Sequence, residues 1–550
     1  MKKIIFVLTI CLGLLSSSCN DWLDLLPNNE QVTDNYWKSK EDVEAVVAAG
    51  YYNMRLLVPQ MLRWGELRGG SLYTLQSKND FLEDASDYQL QNFNLQPSGN
   101  VCRYWPVYKI IGMANSVLHY ASSVRGLDDT YSEGALKAHL TEAYFMRAYC
   151  YFLLVRNYRE VPLVLEAYVN DDAEYNFPKA SESEIIAQIK EDLTTAIESG
   201  AAKTVYEEEW QTKGRVTLWA LYALMADVCL WNEDYEEAII YCNEILDASG
   251  AFRPVFIQDP AKFVEIYYPG NSNEAIFELN YDNALYSESN AMEWKIAKPK
   301  EEKILTGGFS FNSFVTASAP GTAASPLFLT PRAVEKVKEE VALVLANQTT
   351  VPERVGRTLM SGVMYGNMAH PYTDYEKQEY YYIWKYATNE YPMVTSYRPA
   401  TDANFILYRV AEIILIKAEA LIMSGTIGST EWETAIGLMN QIRERAMLPA
   451  LELAADQTDE LSLLQALLNE REMEFLGEGK RWYDLLRFAR KSNYSKYREE
   501  FVDMVLEGNT TNKSEWIQSV LQSNDALYMP IPQSEIDVNP LLIQNPYYSN

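Results

Sequence analysis

The chain has 550 residues, of which 76 are acidic and 47 basic, giving a formal net charge of -29. This balance excludes the clustered lysines and arginines with which a protein binds a nucleic-acid backbone or an anionic lipid surface. With 48% hydrophobic residues, the chain can bury a large core, as expected of a globular extracytoplasmic protein.

The first eighteen residues have the layout of a secretory signal. Two lysines precede an apolar run over residues 4–15, and three serines then lead into Cys19. The run is shorter than the roughly 20 residues that a transmembrane helix needs. A cysteine directly after small residues is where a lipoprotein receives its diacylglyceryl group. We therefore predict a lipoprotein signal peptide over residues 1–18, lipidation at Cys19 and a lipidated tether over residues 19–36.

One detail of this signal departs from the usual lipoprotein pattern. Ser16 stands three residues before Cys19, where such signals usually carry leucine, and Leu15 lies four before it. The alternative is an ordinary cleaved signal followed by a chance cysteine. Each buried methylene of a lipid chain contributes about 0.8 kcal/mol, so two chains hold a protein nearly permanently. No later stretch has the apolar length of a spanning helix, so the lipid is the only anchor that we predict.

Residues 37–251 are predicted to form an N-terminal helical scaffold. Four helices are predicted here. The first carries acids in its opening turn, and the fourth opens with a capping box of Ser181 and Glu184. Hydrophobic periodicity predicts these four helices over residues 39–54, 101–124, 133–158 and 182–199.

A two-helix unit follows, in which the small residues Ala226 and Ala238 would let paired helices approach closely. This is the pattern of a tetratricopeptide repeat. The first pair consists of helices over residues 216–231 and 235–246. A looser second pair consists of helices over residues 405–423 and 430–445. The helix over residues 133–158, packed on its neighbours, could form a third pair. We predict a mainly α fold, a tetratricopeptide-like helical-pair scaffold, and scaffolds of this kind usually contact another protein.

Residues 252–400 differ from the rest of the chain. They are rich in proline, glycine, serine, asparagine and aromatic residues, and contain short strand-like pieces such as Ala275–Leu279. We predict an inserted loop-rich subdomain that forms the ligand face, because long ordered loops are uncommon unless they carry function. Residues 401–550 are predicted to hold the C-terminal helical pair, one further helix and a closing loop.

Four cysteines lie in helical-looking, apolar surroundings: Cys102, Cys150, Cys229 and Cys242. No CxxC motif occurs and no histidine lies near any of them in sequence, so we expect no metal site. Buried free thiols are the prediction, and one disulfide is the alternative.

Three acids, Glu470, Glu474 and Glu478, repeat every four residues in the last third of the chain. Arginines at positions 471, 481 and 487 lie within reach of them or of their neighbours. A structural salt-bridge network is the favoured interpretation. A catalytic pair is the alternative, but two acids on one helix face the same way, whereas a glycosidase needs acids on opposite sides of a bond. The three histidines, at 119, 139 and 370, fall in no catalytic motif.

Four segments together resemble the SusD-like (SusD/RagB) lipoproteins, and the resemblance extends over the whole chain after the signal. The segments are residues 19–24 (CNDWLD) with Pro27 and Tyr36-Trp37, residues 408–412 (YRVAE) through Ala418-Glu419-Ala420, residues 469–487 (NEREMEFLGEGKRWYDLLR), and residues 528–532 (YMPIP) with Asn539-Pro540 and 544–546 (QNP). The third segment is the most specific, although only the joint match is strong.

This resemblance implies a cell-surface nutrient-binding lipoprotein of Bacteroidota. Members of the family have a four-repeat tetratricopeptide scaffold and a loop-rich face that holds the ligand. They cap a SusC-like TonB-dependent transporter in the outer membrane, and acids after the lipidated cysteine, here Asp21 and Asp24, help to direct them outward. The resemblance therefore implies lipid anchoring in the outer membrane, facing the cell exterior. We expect no catalytic residues, no cofactor and no nucleic-acid partner.

A sugar site needs flat aromatic faces and amide or charged groups for the hydroxyls. In the family, loops from two regions contribute, and positional analogy gives candidates in this chain. The first region supplies Trp64, Tyr73, Asn79, Asp80 and Phe81, and the second supplies Tyr281, Asn283, Tyr286 and Trp294. Three tryptophans in predicted helices are assigned to the core: Trp105, Trp219 and Trp482.

Three functional hypotheses follow. The leading one is a surface glycan-binding partner of a transporter. The second keeps the fold but changes the cargo to peptides, as in the RagB-like branch, and the third is a structural lipoprotein that only assembles surface proteins. Exposed tryptophan and tyrosine on one face would favour the first, and a deep polar cleft would favour the second.

Overall fold

The computed structural model describes residues 36–74, 86–168, 175–250, 252–267, 269–281, 327–347, 364–365, 381–382, 403–452, 459–509 and 514–549. The signal peptide, Cys19 and nearly all of the tether lie outside these residues and stay predictions.

The N-terminal part is built from long helices. Its elements are α1 (Lys40–Glu66), β1 (Leu72–Tyr73), α2 (Ser86–Gln91), a 3₁₀ turn (Asn100–Cys102), α3 (Trp105–Leu127) and α4 (Glu133–Tyr158). Helix α4 has the predicted bounds. Helix α1 runs twelve residues beyond its predicted end because its buried face continues through Leu57, Met61 and Leu62, past Pro59. Helix α3 begins four residues later than predicted, since residues 100–102 form the separate turn.

The middle of the chain continues this helical order. Its elements are β2 (Val161–Pro162), β3 (Lys179–Ala180), α5 (Glu182–Glu198), α6 (Glu209–Gly214), α7 (Leu218–Trp231) and α8 (Tyr235–Leu246). The capping box that opens α5 is present: the Ser181 amide donates to Glu184 Oε2 at 2.8 Å, and the Glu184 amide donates to Ser181 Oγ at 3.3 Å. The sequence-based start of this helix is therefore confirmed.

The region predicted to be loop-rich contains one described helix that the sequence analysis missed. Its described elements are a 3₁₀ turn (Pro260–Ile266), β4 (Ala275–Leu279), β5 (Phe328–Leu329), α9 (Pro331–Asn347), β6 (Met364–Tyr365) and β7 (Tyr381–Tyr382). The strand predicted at Ala275–Leu279 is confirmed. Whether residues 252–400 form a separate subdomain with these bounds stays a prediction.

The C-terminal part is again helical. Its elements are β8 (Phe405–Arg409), α10 (Val410–Ser424), α11 (Thr430–Arg445), α12 (Glu460–Glu474), α13 (Arg481–Tyr494), α14 (Arg498–Glu507), α15 (Ser514–Val520) and α16 (Gln533–Val538), with 3₁₀ turns at Asp525–Leu527 and Pro546–Tyr548. Residues 405–409, predicted as the start of a helix, instead form β8. Strand β8 pairs antiparallel with β4, with Leu279 opposite Phe405 and Ala275 opposite Arg409.

Successive helices pack against one another through the molecule, in the order α1, α3, α4, α5, α7, α8, α10 and α11. The predicted pairs α7–α8 and α10–α11 both form, and Ala226 and Ala238 are fully buried where α7 meets α8. One continuous apolar core extends over these helices. The predicted fold class, a mainly α scaffold of tetratricopeptide-like helical pairs, is confirmed.

Two further observations concern the described helices. Cys102, Cys150, Cys229 and Cys242 are buried and not in disulfides, so the predicted thiol state is confirmed over the disulfide alternative. Among the helices in the described ranges, none combines the length and the apolar character needed to cross a bilayer.

Candidate ligand-binding site

The acids of the most specific segment form part of a buried ion-pair network. Arg409, the last residue of β8, lies 3.0 Å from Glu274, 2.6 Å from Glu474 and 3.0 Å from Glu478. Arg445 contacts Glu474 and lies 2.6 Å from Glu274. All five side chains are at most 1% exposed. The predicted structural salt-bridge network is therefore confirmed, although Glu478 lies beyond the end of α12 and Arg409 was not foreseen as its centre.

The arginines predicted to belong to this network bind other acids nearby. Arg471 lies 2.8 Å from Asp484, Arg481 lies 3.1 Å from Glu472, and Arg487 lies 2.7 Å from Glu419. The neighbouring cations hold the pKa of Glu472 far below its ordinary value, against the opposing effect of burial. Asp484, Glu472 and Glu419 are therefore buried acids that each pair with an arginine.

Trp64 is a correction to the predicted site. It was assigned to a loop, but it lies in the last turn of α1 and is fully buried. Its indole N–H donates to the Val101 carbonyl at 2.7 Å, and its ring meets Tyr158 edge-on at 5.8 Å between centroids. No face of this ring is open to a sugar, so Trp64 is a core residue.

Tyr73 lies on β1, where it pairs with Phe328 of β5. Its side chain is half-buried, which raises the pKa of its phenol, and it borders a small cavity beside Gly70. Its contribution to ligand binding stays a proposal.

Tyr281, two residues after the end of β4, is held by hydrogen bonds on both its side chain and its backbone. Its hydroxyl donates to the Arg55 carbonyl at 3.1 Å, and its amide donates to Asn404 Oδ1 at 3.0 Å. Arg55 in turn donates to the Asn280 carbonyl at 3.0 Å, and its guanidinium lies 5.7 Å from the centre of the Tyr281 ring. These contacts hold Tyr281 against α1 and Asn404.

Two residues with exposed aromatic side chains contact the residues that hold Tyr281: the Tyr52 ring lies near Arg55, and the Trp210 backbone contacts Asn280. Tyr52, on α1, is 51% exposed, and the Arg55 guanidinium lies 5.3 Å from its ring centre. Trp210, on α6, is 53% exposed, and its carbonyl accepts from Asn280 Nδ2 at 2.7 Å. We call these five residues, Tyr52, Arg55, Trp210, Asn280 and Tyr281, the Tyr281 cluster. Open rings next to amide and guanidinium groups are what a sugar ring with its hydroxyls would contact.

The sequence analysis missed Tyr52 and Trp210, although the sequence carried a signal for each. Tyr51 and Tyr52 are consecutive on a helix, about 100° apart, so both cannot face the same core. Tyr51 faces inward and hydrogen-bonds to Glu142, which leaves Tyr52 outside. Trp210 follows three consecutive glutamates, at 207–209, and such a run favours an exposed position.

The two predicted ligand regions meet α1 at different levels. Tyr281 contacts it at Arg55, whereas Tyr73 follows its C-terminal end. The eleven helical steps from Arg55 to Glu66 rise roughly 16 Å along the axis. Asn79, Asp80, Phe81, Asn283, Tyr286 and Trp294 lie outside the described residues.

The core assignments of the other tryptophans had mixed outcomes. Trp482 is fully buried, as predicted, and Trp219 is partly buried with its indole N–H donating to the Thr204 carbonyl. Trp105 is 55% exposed because it begins α3, ahead of the buried face that starts at Val107. Its assignment to the core was wrong.

One cluster has metal-binding residue types. Cys229, Asp234 and Glu237 have ligand atoms within 4.8 Å of one another. The Lys190 ammonium lies 2.9 Å from Asp234 and also contacts Glu237, so a protein cation already satisfies both carboxylates. The raised pKa of the Cys229 thiol, caused mainly by burial, also disfavours the thiolate that would bind a metal.

Stacked helical pairs that share one apolar core define a mainly α protein with a tetratricopeptide-like scaffold. Two family models match the chain: the SusD family over residues 337–548, and a family described as starch-binding and associating with the outer membrane over residues 21–230. The chain belongs to the SusD/RagB family.

Individual relatives resemble this chain over most of its length. It is 26% identical over 520 residues to SusD-like protein P38 of Formosa agariphila, an alignment that covers 88% of this chain and 92% of that protein. Surface glycan-binding protein A from Bacteroides uniformis has a similar structure, with a TM-score of 0.67 and 20% identity over 92% of this chain and 100% of the other. A laminarin-binding SusD-like protein superposes with a TM-score of 0.64 and 20% identity over 93% of this chain and 100% of the other.

Proposed function

We propose that this protein binds oligosaccharides or polysaccharides at the cell surface and delivers them to a SusC-like TonB-dependent transporter of the outer membrane. The ligand face would include the Tyr281 cluster, Tyr73 and the predicted residues beyond position 281. The protein would bind and release its cargo without cleaving it.

The observation that carries this proposal is the exposure of Tyr52 and Trp210 beside Tyr281. Exposed apolar side chains that lie together on a surface mark ligand-binding sites more often than single exposed residues do. An aromatic face packs on the apolar side of a sugar ring, while the neighbouring Arg55 and Asn280 supply polar groups. An exposed aromatic cluster favours a glycan over a peptide held in a deep polar cleft.

Family membership supports the same cargo. One matching family is described as starch-binding, and two proteins of similar structure are named for binding laminarin or surface glycans. The particular glycan of this chain does not follow from them, since both structures are only 20% identical to it.

Affinity electrophoresis against a panel of polysaccharides tests the cargo. We expect at least one glycan to retard the wild-type protein, and Tyr52→Ala and Trp210→Ala to weaken that retardation. Trp516→Ala is the matched control, because Trp516 is 46% exposed on α15, an element outside the Tyr281 cluster. A protein that no glycan retards would contradict the proposed cargo, and equal retardation of all variants would contradict the proposed site.

The membrane anchor is a separate part of the proposal. Lipid at Cys19 would hold the protein on the outer membrane while its tether lets it move over the transporter. Cys19→Ala should abolish incorporation of a labelled fatty acid and release the protein from the membrane fraction. An unchanged membrane fraction would contradict lipid anchoring at this residue.

A further inference from the structure

Two tyrosines outside the Tyr281 cluster stack on each other at the protein surface. Tyr168 and Tyr175 are 44% and 55% exposed. Their ring centroids are 5.1 Å apart, and the two ring planes enclose an angle of only 11°. Because each ring covers one face of the other, the area that is open to solvent belongs to the opposite faces and the edges. We call these two rings the tyrosine stack.

The two chain segments that carry the tyrosine stack are anchored close to the rings. Two residues before the first ring, the side-chain amide of the buried Asn115 donates to the Glu166 carbonyl at 3.2 Å. Asn115 is in turn held by Arg147, whose Nη1 donates to its Oδ1 at 3.0 Å. Two residues after the second ring, the Asn539 side-chain amide donates to the Phe177 carbonyl at 2.9 Å. Groups that are held in place before binding lose little conformational freedom when a ligand arrives, which favours binding.

The tyrosine stack has the chemistry of a sugar-binding surface. Each phenol offers an apolar face for the C–H side of a sugar ring, and a hydroxyl that both donates and accepts hydrogen bonds. Two polar residues close to the rings in sequence, Glu166 and Asn176, are also exposed. They add a carboxylate and an amide that are able to bind sugar hydroxyls.

The charge of the protein favours one class of sugar at this surface. The chain carries a formal net charge of -29, and the exposed Glu166 lies two residues before Tyr168. A glycan that carries carboxylate or sulfate groups would be repelled by these charges, whereas an uncharged glycan would not.

We propose that the tyrosine stack is a second glycan-binding site, which binds uncharged sugar chains. This inference rests on the proposed function for its choice of a glycan as the ligand. The stack belongs to the segments that flank β2 and β3 and contact α3 and the segment after α16, whereas the Tyr281 cluster belongs to α1, α6 and the end of β4. A polymer that engages both sites binds more tightly, since its second contact is made within the complex that the first contact has formed.

Affinity electrophoresis in gels that contain neutral polysaccharides tests the second site. The double variant Tyr168→Ala/Tyr175→Ala should raise the apparent Kd about two- to tenfold, the effect expected of lost aromatic contacts. Tyr168→Phe/Tyr175→Phe keeps both rings and should be retarded nearly as much as the wild type. Adding the two alanines to Tyr52→Ala/Trp210→Ala should remove the retardation that remains in that variant.

Phe252→Ala is the matched control, because Phe252 is 65% exposed but lies in the segment that follows α8. It should be retarded like the wild type. Since both tyrosines are at the surface, the alanine variants should keep the circular dichroism spectrum of the wild type.

The possible outcomes separate this site from the proposed function. If no glycan retards the wild type, both proposals are wrong. If Tyr52→Ala/Trp210→Ala weakens the retardation and Tyr168→Ala/Tyr175→Ala does not, only the second site is overturned, and the stack is left as a surface for contact with another protein. If the stack binds charged polysaccharides in preference to neutral ones, the proposed class of sugar is wrong.

Discussion

Arg409 and Glu478 form a two-point ion pair in the core, with Arg409 Nε and Nη2 each donating to a different carboxylate oxygen at 3.0 Å. Arg409 ends β8, and Glu478 lies in the turn between α12 and α13. Parallel donor pairs of this kind fix orientation as well as distance. The pair therefore joins β8, the strand that pairs with β4, to residues 469–487, the segment most specific to the family.

Arg409→Met should strongly destabilise the protein. The substitution leaves Glu274, Glu474 and Glu478 buried with less positive charge, and breaking a buried pair from one side costs about 3–5 kcal/mol. Urea denaturation followed by circular dichroism measures this loss. Arg125→Met is the control, because the Arg125–Glu133 pair is mostly exposed and such pairs contribute less than about 1 kcal/mol. Equal stability of the two variants would refute the structural role of the network.

Gly65→Ala should destabilise the protein for a steric reason. A Cβ on Gly65, in the last turn of α1, would lie 1.9 Å from the Gly479 carbonyl oxygen, so one backbone segment must move. The Gly479 amide also donates to Glu66 Oε1 at 2.7 Å, which a shift would disturb. Overpacking of this kind costs about 1–3 kcal/mol or more, measurable as a lower melting temperature.

Gly112→Ala makes the same chemical change as Gly65→Ala, but we expect it to stabilise the protein. Gly112 is inside α3, and among the described residues a Cβ there would meet no atom within 4 Å apart from its own stretch of helix. Alanine in a helix interior is favoured over glycine by about 0.8–1 kcal/mol, so this variant should melt at a higher temperature. If both alanine variants shift stability in the same direction, the close contact at Gly65 is not the cause.

The helical scaffold could be predicted because its signals are local. Helix α4, helix α8 and helix α11 have their predicted bounds, since each combines periodic apolar residues with a recognisable start or stop. The helix prediction for residues 405–409 was wrong because their apolar run is compatible with a helix and with a strand equally. Only the pairing with β4, more than 120 residues earlier, decides in favour of the strand.

The candidate site was harder to predict for the same reason. Trp64 and Tyr52 are both aromatic residues on α1, and composition alone cannot tell which one is buried. Trp64 contacts the Val101 carbonyl and the Tyr158 ring, whereas Tyr52 lies near Arg55, which in turn contacts Tyr281. Such contacts depend on tertiary packing, so the sequence named Tyr281 as a candidate but could not name the exposed residues near it.

The four described thiols should be unreactive in the folded protein. Burial raises the pKa of Cys150, Cys229 and Cys242 far above the ordinary thiol value, and the thiolate is the reactive form. In a chain that begins at Asn20, Ellman's reagent should detect almost no thiol in buffer and all four in guanidinium chloride. Fast native labelling, or fewer thiols after unfolding, would contradict the buried free state.

The ion pair between Glu419 and Arg487 should make the stability of the protein depend on pH in the acidic range. Coulombic attraction to Arg487 and Lys491 outweighs burial and lowers the pKa of Glu419 to about 2, compared with roughly 4.3 for an unfolded glutamate. Between these values the unfolded chain binds the proton and the folded chain does not. The contribution of this group is therefore complete above about pH 4.3 and is lost as the pH falls towards 2.

Glu419→Gln removes this titration. The variant should be clearly less stable than the wild type at pH 7, and the difference between their free energies of unfolding should shrink as the pH falls from 5 to 2.5. Urea titrations at several pH values measure this difference directly. Glu133→Gln, at an exposed position, should follow the wild type throughout. If the gap between Glu419→Gln and the wild type stays constant across this range, then the Glu419 carboxylate is not held ionised by Arg487 and Lys491.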